Sequence, residues 1–488
     1  MSHHRLAPFK LDVIIVGGAV AGLSTAIGLA MSGHKVRVLE RSSKLGKPVG
    51  GIRLPPNVTK VLVQWGLEEE LRRRASLVRG GTNIWDLETG RLLGYLEWAE
   101  PVIQDSGAKF YMMRYSDLHE ILYSAAVKAG AEVIFNVDVC LVSPPLRPGT
   151  STSGSTPCLP RERPSVLLSD GTVLEADIVI GADGQYSVVR SSLQEKRVEP
   201  QITGTIVFTG SVPMKRLLED DLIKAENLTS SWVYWLGPRR SFTGYPISHE
   251  TEFAVHLYVD RNDPDAPEGW TPNVSAKSLK LSDTILDRKY SWVFEKVDSV
   301  CWQRYLDWPK IENWSDKSNR IVLIGESSRP LIPCSTHSCS VSVESAAVFS
   351  TLLSYVRNLD HIPLLVRAYE TIRRDRTEFL HQVEVQSVLQ TMFPPGPERT
   401  ARNKEMERLL RARQGKWDDD AYLGLWGQLC EIWAYNAFDA ADDWWVQWGV
   451  LRERALSLQN PNIETPFRRL EVNISARTDM INIDYLDH

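Results

Sequence analysis

The stretch Asp12-Val-Ile-Ile-Val16, followed by Gly17-Gly18-Ala19-Val20-Ala21-Gly22, decides the fold. Residues 13–16 are a short apolar run of the kind that forms a buried parallel strand. A glycine-rich turn follows, then an Ala/Leu-rich helix over about residues 21–32 that Gly33 is placed to end. Lys35-Val-Arg-Val-Leu39 reads as a second strand, which completes one βαβ unit. Read as G-x-G-x-x-G, the turn keeps Gly17 and Gly22 and has Ala19 in the middle position. Gly17 permits the tight turn, the small Ala19 lets the backbone approach a pyrophosphate, and Gly22 lets helix and strand pack closely. The helix N-terminus behind the turn offers free N–H groups and a positive dipole end to phosphate. Glu40 ends the second strand, close to the spacing of about 20 residues at which a carboxylate meets an adenosine ribose hydroxyl. The pattern alone leaves NAD and FAD both open.

Working outward, the chain has 488 residues, 43% hydrophobic and 24% charged, with 56 Lys plus Arg against 61 Asp plus Glu and a formal charge of −5. That composition excludes wholesale disorder, and the length predicts two to four domains. The mild acidity gives no reason to expect a nucleic-acid partner. Cys140, Cys158, Cys301, Cys334, Cys339 and Cys430 are scattered without a C-x-x-C pair, which predicts reduced thiols in an intracellular, cytoplasmic protein. The opening MSHHRLAPFK lacks the apolar core of a signal peptide, and no run approaches the ~18 apolar residues of a membrane span.

Residues 143–165 are rich in Pro, Ser, Thr and Gly and read as an exposed loop. Strand-like patterns over 132–142 and 165–168, with a hairpin signal at Asp170-Gly171, set that loop inside a β meander. Residues 178–180 are another buried strand. From about 203 to 300 the pattern alternates, over 205–212, 231–235 and 253–259, as an antiparallel sheet does. Residues 321–324 return to the buried-strand style, and from Glu344 onward the chain is mostly helical.

Six further elements occur in order: Gly50-Gly51-Ile-Arg53-Leu-Pro-Pro-Asn57; Met113-Arg114-Tyr-Ser-Asp-Leu118; Gly181-Ala-Asp183-Gly184-Gln-Tyr-Ser-Val-Val-Arg190; Tyr245-Pro-Ile247; Ile324-Gly325-Glu326; and Ala368-Tyr-Glu-Thr-Ile-Arg-Arg-Asp-Arg376. Over roughly residues 10–390 the series resembles the single-component FAD-dependent aromatic hydroxylases, in the salicylate-hydroxylase-like branch that includes fungal secondary-metabolism members. The resemblance implies an α/β fold: a Rossmann-like FAD-binding domain, an inserted antiparallel β-sheet substrate domain and a helical C-terminal region. The implied segments are 1–202 (FAD-binding, with loop 143–165), 203–305 (substrate), 306–390 (FAD-binding return and long helix) and 391–488 (helical).

By motif position the resemblance implies that Asp183 and Gly184 lie near the FAD pyrophosphate, with Arg190 supporting them. It sets Arg114 along the ribityl–phosphate chain, Arg41 beside the adenosine, and Arg53 among the cofactor contacts. Arginine pairs well with phosphate. The implied cofactor is FAD, with NADPH or NADH as a transient co-substrate and O2 as oxidant through a flavin C4a-hydroperoxide. FAD carries the hard chemistry, and the protein supplies binding, orientation and a dry pocket. The implied enzyme is a monooxygenase that hydroxylates or epoxidises an aromatic or heteroaromatic substrate, an indole or a phenol, as a monomer or homodimer. The alternative is a related flavoprotein with altered chemistry: a cyclase, a dehydrogenase or an oxidase.

That alternative comes from departures in the second flavin element. The family pattern is G-D-A-A-H followed by P-x-x-x-Q-G; this chain reads Gly325-Glu326-Ser-Ser-Arg-Pro-Leu-Ile-Pro333-Cys-Ser-Thr-His337-Ser338-Cys-Ser340. Glu326 replaces an Asp that bonds the ribityl chain. Ser338 stands where a Gly approaches the isoalloxazine, ahead of a helix N-terminus that stabilises negative charge on reduced flavin. His337 is a candidate proton carrier, or a histidine that merely bonds a loop carbonyl. Cys334, His337 and Cys339 match no common zinc spacing, so no metal is expected. Thr209 occupies a position where many relatives carry an Arg, which predicts a larger, neutral aromatic substrate. Tyr245 ranks first for lining the pocket and, with His337, for catalysis. His249 reads as solvated, and the face of His256 is open. Thirteen of the 16 tryptophans lie at or after Trp232, where such a substrate would bind or where large cores would form.

Overall fold

A five-stranded parallel sheet carries the opening motif, in the order Ile321–Leu323, Ile178–Gly181, Asp12–Val16, Lys35–Leu39, Glu132–Ile134. The computed structural model describes residues 5–46, 50–78, 80–98, 104–145, 162–194, 198–221, 231–261, 263–279, 293, 295–412 and 419–452. The central strand Asp12–Val16 pairs in parallel with both neighbours, and Val13, Ile14 and Ile15 are wholly buried, as an apolar run without alternation demands. The helix Val20–Met31 packs against Tyr115–Ala129 and Ser340–Leu353. The chain divides into two units, Met1–Asp442 and Asp443–His488, and the sheets and the helices packed on them belong to the first.

An eight-stranded sheet follows the order Thr271–Ser275, Ser299–Asp307, Gln201–Pro213, Glu252–Asp260, Arg240–Ile247, Trp232–Gly237, Gly81–Asp86, Leu92–Glu97. Its pairings are antiparallel except where Trp232–Gly237 runs parallel to Gly81–Asp86. The strands Gly81–Asp86 and Leu92–Glu97 reach this sheet from within residues 1–202, so its sequence territory is not confined to 203–305. Periodicity assigns faces to a strand but does not name its partner.

The two faces of this sheet have different tasks. Phe208, Trp235, Phe242, Val255, Leu257 and Trp302 form an apolar core on one side. The other side turns toward the nucleotide layer: Tyr258 Oη donates to Pro333 O at 3.0 Å, and a Cβ on Gly51 would lie 2.5 Å from Ala254 Cβ. The alternation of Glu252–Asp260 therefore places His256, between Ala254 and Tyr258, on the side of Gly51 and Pro333.

Two small sheets fill the corners. One has the order Gly51–Leu54, Tyr111–Arg114, Ser76–Leu77. The other joins Val139–Ser143, Ser165–Leu168 and Val173–Glu175 as the expected meander, closed at Gly171 with φ 86°. Most of the loop between its first two strands, residues 146–161, lies outside the described residues. The pattern read as one strand over 132–142 is broken: Glu132–Ile134 joins the parallel sheet, Val139–Ser143 joins the meander, and Asn136 turns between them at φ 59°.

The return segment carries the 30-residue helix Ile362–Thr391, whose Arg373 and Arg376 reach Glu344 at 2.8 and 3.0 Å. Asn57 Nδ2 donates to the same carboxylate at 2.7 Å. This buried cluster ties the helices Pro56–Gln64, Ser340–Leu353 and Ile362–Thr391 together. Pro397–Ala412, Asp419–Ala434 and Ala437–Trp444 follow.

Candidate flavin and substrate site

The fingerprint turn is compact because its glycines leave no room for side chains. Gly17 has φ 103°, and a Cβ there would lie 2.5 Å from Ala182 O; a Cβ on Gly22 would lie 1.9 Å from Gly17 O. Glu40 accepts from Gly18 N at 2.7 Å and from Ser42 N at 2.8 Å, which holds its carboxylate at the end of the strand. The helix Val20–Met31 starts at Ala19 with no side-chain cap and no acid in its first turn. Its first N–H groups are thereby left for a phosphate. His119 donates from Nε2 to Gly18 O at 2.8 Å and steadies the turn from the helix Tyr115–Ala129. Only its third dimension brings it there, and no local signal in the sequence marks it. Arg41 is exposed.

Asp183 accepts from Ser187 Oγ at 2.5 Å and from the N–H groups of Val188 and Val189 at 2.7 and 3.3 Å. Burial pushes its pKa up against the pull of these bonds. Ser187 in turn caps the helix Val188–Leu193 by accepting from Arg190 N at 2.8 Å. The Arg190 guanidinium donates to Ser327 O at 3.3 Å and to Gln185 O, and lies 4.1 Å from the centre of the Trp308 ring. Desolvation brings it down to about 10, opposed by the charge of Asp183. Arg190 thus fastens the Gly181-to-Arg190 element to the turn at Gly325–Ser327. Gly184 has φ 77°, a backbone that favours glycine.

At the second flavin element Gly325 has φ 72°, and a Cβ there would lie 2.7 Å from Ala21 Cβ. The element therefore rests on the fingerprint helix. Glu326 is partly buried, and desolvation pushes its carboxyl up to about 7. Pro333 gives its carbonyl to Tyr258. Ser338 N donates to Ser335 O at 3.3 Å, and the helix Ser340–Leu353 begins at Cys339 without a side-chain cap or an acid in its first turn. Arg114 is held by Glu252 of the large sheet, Nε to Oε2 at 2.9 Å, with Asp117 at 3.8 Å. The cation that ends the strand Tyr111–Arg114 thus has a protein partner, which the motif alone does not disclose.

His337 is buried with both ring nitrogens engaged. Nδ1 donates to Glu384 Oε1, and Nε2 accepts from Trp433 Nε1 at 3.1 Å. Glu384 also accepts from the N–H groups of Thr336 and His337 at 3.1 and 2.9 Å. The loop before Ser340–Leu353 is in this way pinned to the long helix and to the C-terminal helix Asp419–Ala434. Glu384 and Trp433 carry no motif, so the sequence does not announce them.

Tyr245 is wholly buried, and its Oη lies 2.6 Å from His256 Nε2. Burial pushes the Tyr245 phenol far above its ordinary range and His256 well below, with the Arg53 charge acting in the same downward sense on both. A neutral imidazole therefore accepts from a protonated phenol. Gly51 packs on this pair: a Cβ there would lie 2.9 Å from Tyr245 Oη. Arg53, 3% exposed, points to the same face; it donates to Tyr234 Oη at 3.0 Å and to Cys334 O, and lies over Trp232 at 5.0 Å and Tyr245 at 5.5 Å. Its side chain leaves the fingerprint turn behind and joins the aromatic wall. Trp98 stacks between Trp232 and Trp433 at 5.6 and 5.3 Å, with Trp426 edge-on at 5.8 Å. His249 is exposed in the turn after Arg240–Ile247, with Nε2 donating to Arg73 O.

These residues fit FAD. The glycine cradle and uncapped helix start have Glu40 against Gly18 on one side and the Gly325 turn against Ala21 on the other. The model of an FAD binding domain matches residues 10–284. A 3-amino-4-hydroxybenzoate 2-monooxygenase of Streptomyces platensis, PtmB3, is 26% identical over 83% of this chain and 94% of its own length. The FAD-dependent monooxygenase OpS4 of Beauveria bassiana is 24% identical over 88% of this chain and 96% of its own. Among solved structures, CtdE with FAD and substrate superposes with TM-score 0.71 at 17% identity, covering 91% of this chain and all of that one. A salicylate hydroxylase substrate complex superposes with TM-score 0.66 at 18% identity, covering 89% and 97%. The chain belongs to the FAD-binding-domain family and is a flavoprotein monooxygenase of the aromatic-hydroxylase type.

Proposed function

We propose that the protein uses NADPH or NADH and O2 to hydroxylate or epoxidise an aromatic or heteroaromatic substrate, phenolic or indolic, in secondary metabolism. We place it in the cytoplasm as a monomer or homodimer. The observation that carries this reading is the wall formed by Tyr245, His256, Trp232 and Arg53, which faces the loop of the second flavin element through Cys334 and Pro333. Bound FAD supplies the redox chemistry and the activation of oxygen.

The chain's own residues do the rest. Gly17, Ala19 and Gly22 bring backbone to the pyrophosphate, Glu40 takes the ribose, and Glu326 takes a ribityl hydroxyl. Gly184 and Asp183 shape the second phosphate wall, with Arg190 behind them and Arg41 toward the adenosine. Arg114, steadied by Glu252, lines the chain between phosphate and flavin. Pro333 and Ser338 would hold the edge of the flavin, and the uncapped start of Ser340–Leu353 would favour negative charge there. His337 holds that edge through Glu384 and Trp433. Tyr245, kept protonated by burial, donates a hydrogen bond to His256 or to a substrate oxygen and so orients the ring under attack. The aromatic wall excludes water. Purified protein assayed with NADH and NADPH over a panel of phenols and indoles tests the reading: substrate-dependent NAD(P)H oxidation with an oxygenated product supports it. A flavin that neither nicotinamide reduces counts against it.

A further inference from the structure

The wall around Tyr245 contains a buried cation with no ion-pair partner among the described residues. Arg53 stands on Gly51–Leu54, and its guanidinium has five donors in a fixed fork. Two oxygens accept from it, Tyr234 Oη and the Cys334 carbonyl. The rings of Trp232 and Tyr245 flank it. The charge of Glu384 acts on it, and that carboxylate is already committed to His337 and to two backbone N–H groups. The neighbouring phenols Tyr245 and Tyr258 stay neutral because burial raises both. Tyr234 accepts from Arg53 and so retains its own hydroxyl proton for a third group.

Across the same face, the strand Gln201–Pro213 presents Thr209 beside His256. An uncharged threonine there led to the expectation of a neutral substrate. Arg53 supplies the charge from the opposite wall instead. Desolvating a cation costs several kcal/mol unless an anion compensates it, and a guanidinium fork suits a carboxylate or a phenolate oxygen.

Resting on the reading of this face as the substrate wall, we propose that Arg53, assisted by Tyr234, is the specificity-determining anchor for an anionic oxygen of the substrate. The substrate then enters as an acidic aromatic, a carboxylate or an ionised phenol, with Arg53 fixing its orientation below Tyr245. Arg53 is in this account a substrate contact and not a contact of the FAD phosphates.

The experiment is a titration of the purified holoenzyme, followed by perturbation of the flavin spectrum, with 3-hydroxybenzoate, its methyl ester and 4-nitrophenol. The first two probe the carboxylate, and the nitrophenol's own colour reports whether it binds as phenolate. Wild type is expected to favour the acid over the ester by about tenfold or more, or to bind nitrophenol with its apparent pKa lowered. Arg53→Gln is expected to lose that preference, with flavin content and reduction by NAD(P)H measured beside it. Arg53→Lys is expected to keep part of the preference, which covers the case in which the Gln variant fails to fold. Tyr234→Phe should weaken binding of the anion more than that of the ester. Equal binding of acid and ester with an unshifted nitrophenol overturns the inference, as does an Arg53→Gln variant that keeps the preference. In either case the monooxygenase reading stands if flavin is bound and reduced. A wild-type protein without flavin overturns both.

Discussion

Glu326 shows how much a single methylene position can matter. Its carboxyl has no ion pair among the described residues, and desolvation raises it to about 7 from an ordinary value of 4.5. Because the folded value lies above the unfolded one, its contribution to stability is full below about pH 4.5 and is lost as pH rises through about 7. Glu326→Gln removes that dependence. In thermal unfolding of the FAD-free protein, the variant is expected to match wild type near pH 4 and to exceed it near pH 8 by on the order of 2 kcal/mol. A wild-type curve that stays flat against the variant over this range would show that the carboxyl is solvated. At this scale the turn glycines Gly17 and Gly22 and the strand-ending Glu40 were legible in position, because the geometry of the turn favours their residue types, and Tyr245 was marked by the resemblance. Glu384, Trp433 and His119 were not, because they reach the site from distant helices through one side-chain bond each. Arg53 was legible as part of a motif but not in its direction, since a strand residue has two faces to choose from.

Among the elements, the βαβ unit was the clearest in the sequence because a strand buried on both faces is apolar throughout. Its weak point is the turn. Gly22→Ala would set a methyl group 1.9 Å from Gly17 O. The turn must open, and the backbone then leaves the pyrophosphate. The variant is expected to purify with less than about a tenth of the FAD of wild type and to lose about 2 kcal/mol or more of stability. Flavin content per chain and thermal unfolding read both, and full flavin occupancy would show that the turn does not hold the phosphates. The large sheet was half legible: alternation found its strands at 205–212, 231–235 and 253–259, but the crossover of Gly81–Asp86 to pair with Trp232–Gly237 depends on tertiary packing that local periodicity does not encode. That packing also brings Trp98 onto Trp232 and Trp433, and so gives part of the tryptophan excess a place at the proposed substrate wall.

At the scale of the first unit, the helices Pro56–Gln64, Ser340–Leu353 and Ile362–Thr391 meet at a buried charge cluster. Glu344 and Arg373 have no exposed side-chain surface, and Arg376 closes the cluster at 3.0 Å. Glu344→Ala leaves two buried guanidinium groups facing each other, and a loss of about 3–5 kcal/mol is expected in denaturant unfolding. A loss below about 1 kcal/mol would show that the arginines find water or Tyr435 instead. The central claim concerns the reaction itself, and its most direct measurement is turnover of an aromatic substrate by the purified, flavin-loaded enzyme with NAD(P)H under heavy-isotope O2. The account predicts a product that carries one heavy oxygen atom for each NAD(P)H consumed in coupled turnover. An oxidised product without heavy oxygen, or NAD(P)H consumption that yields only hydrogen peroxide across every substrate tried, would contradict it.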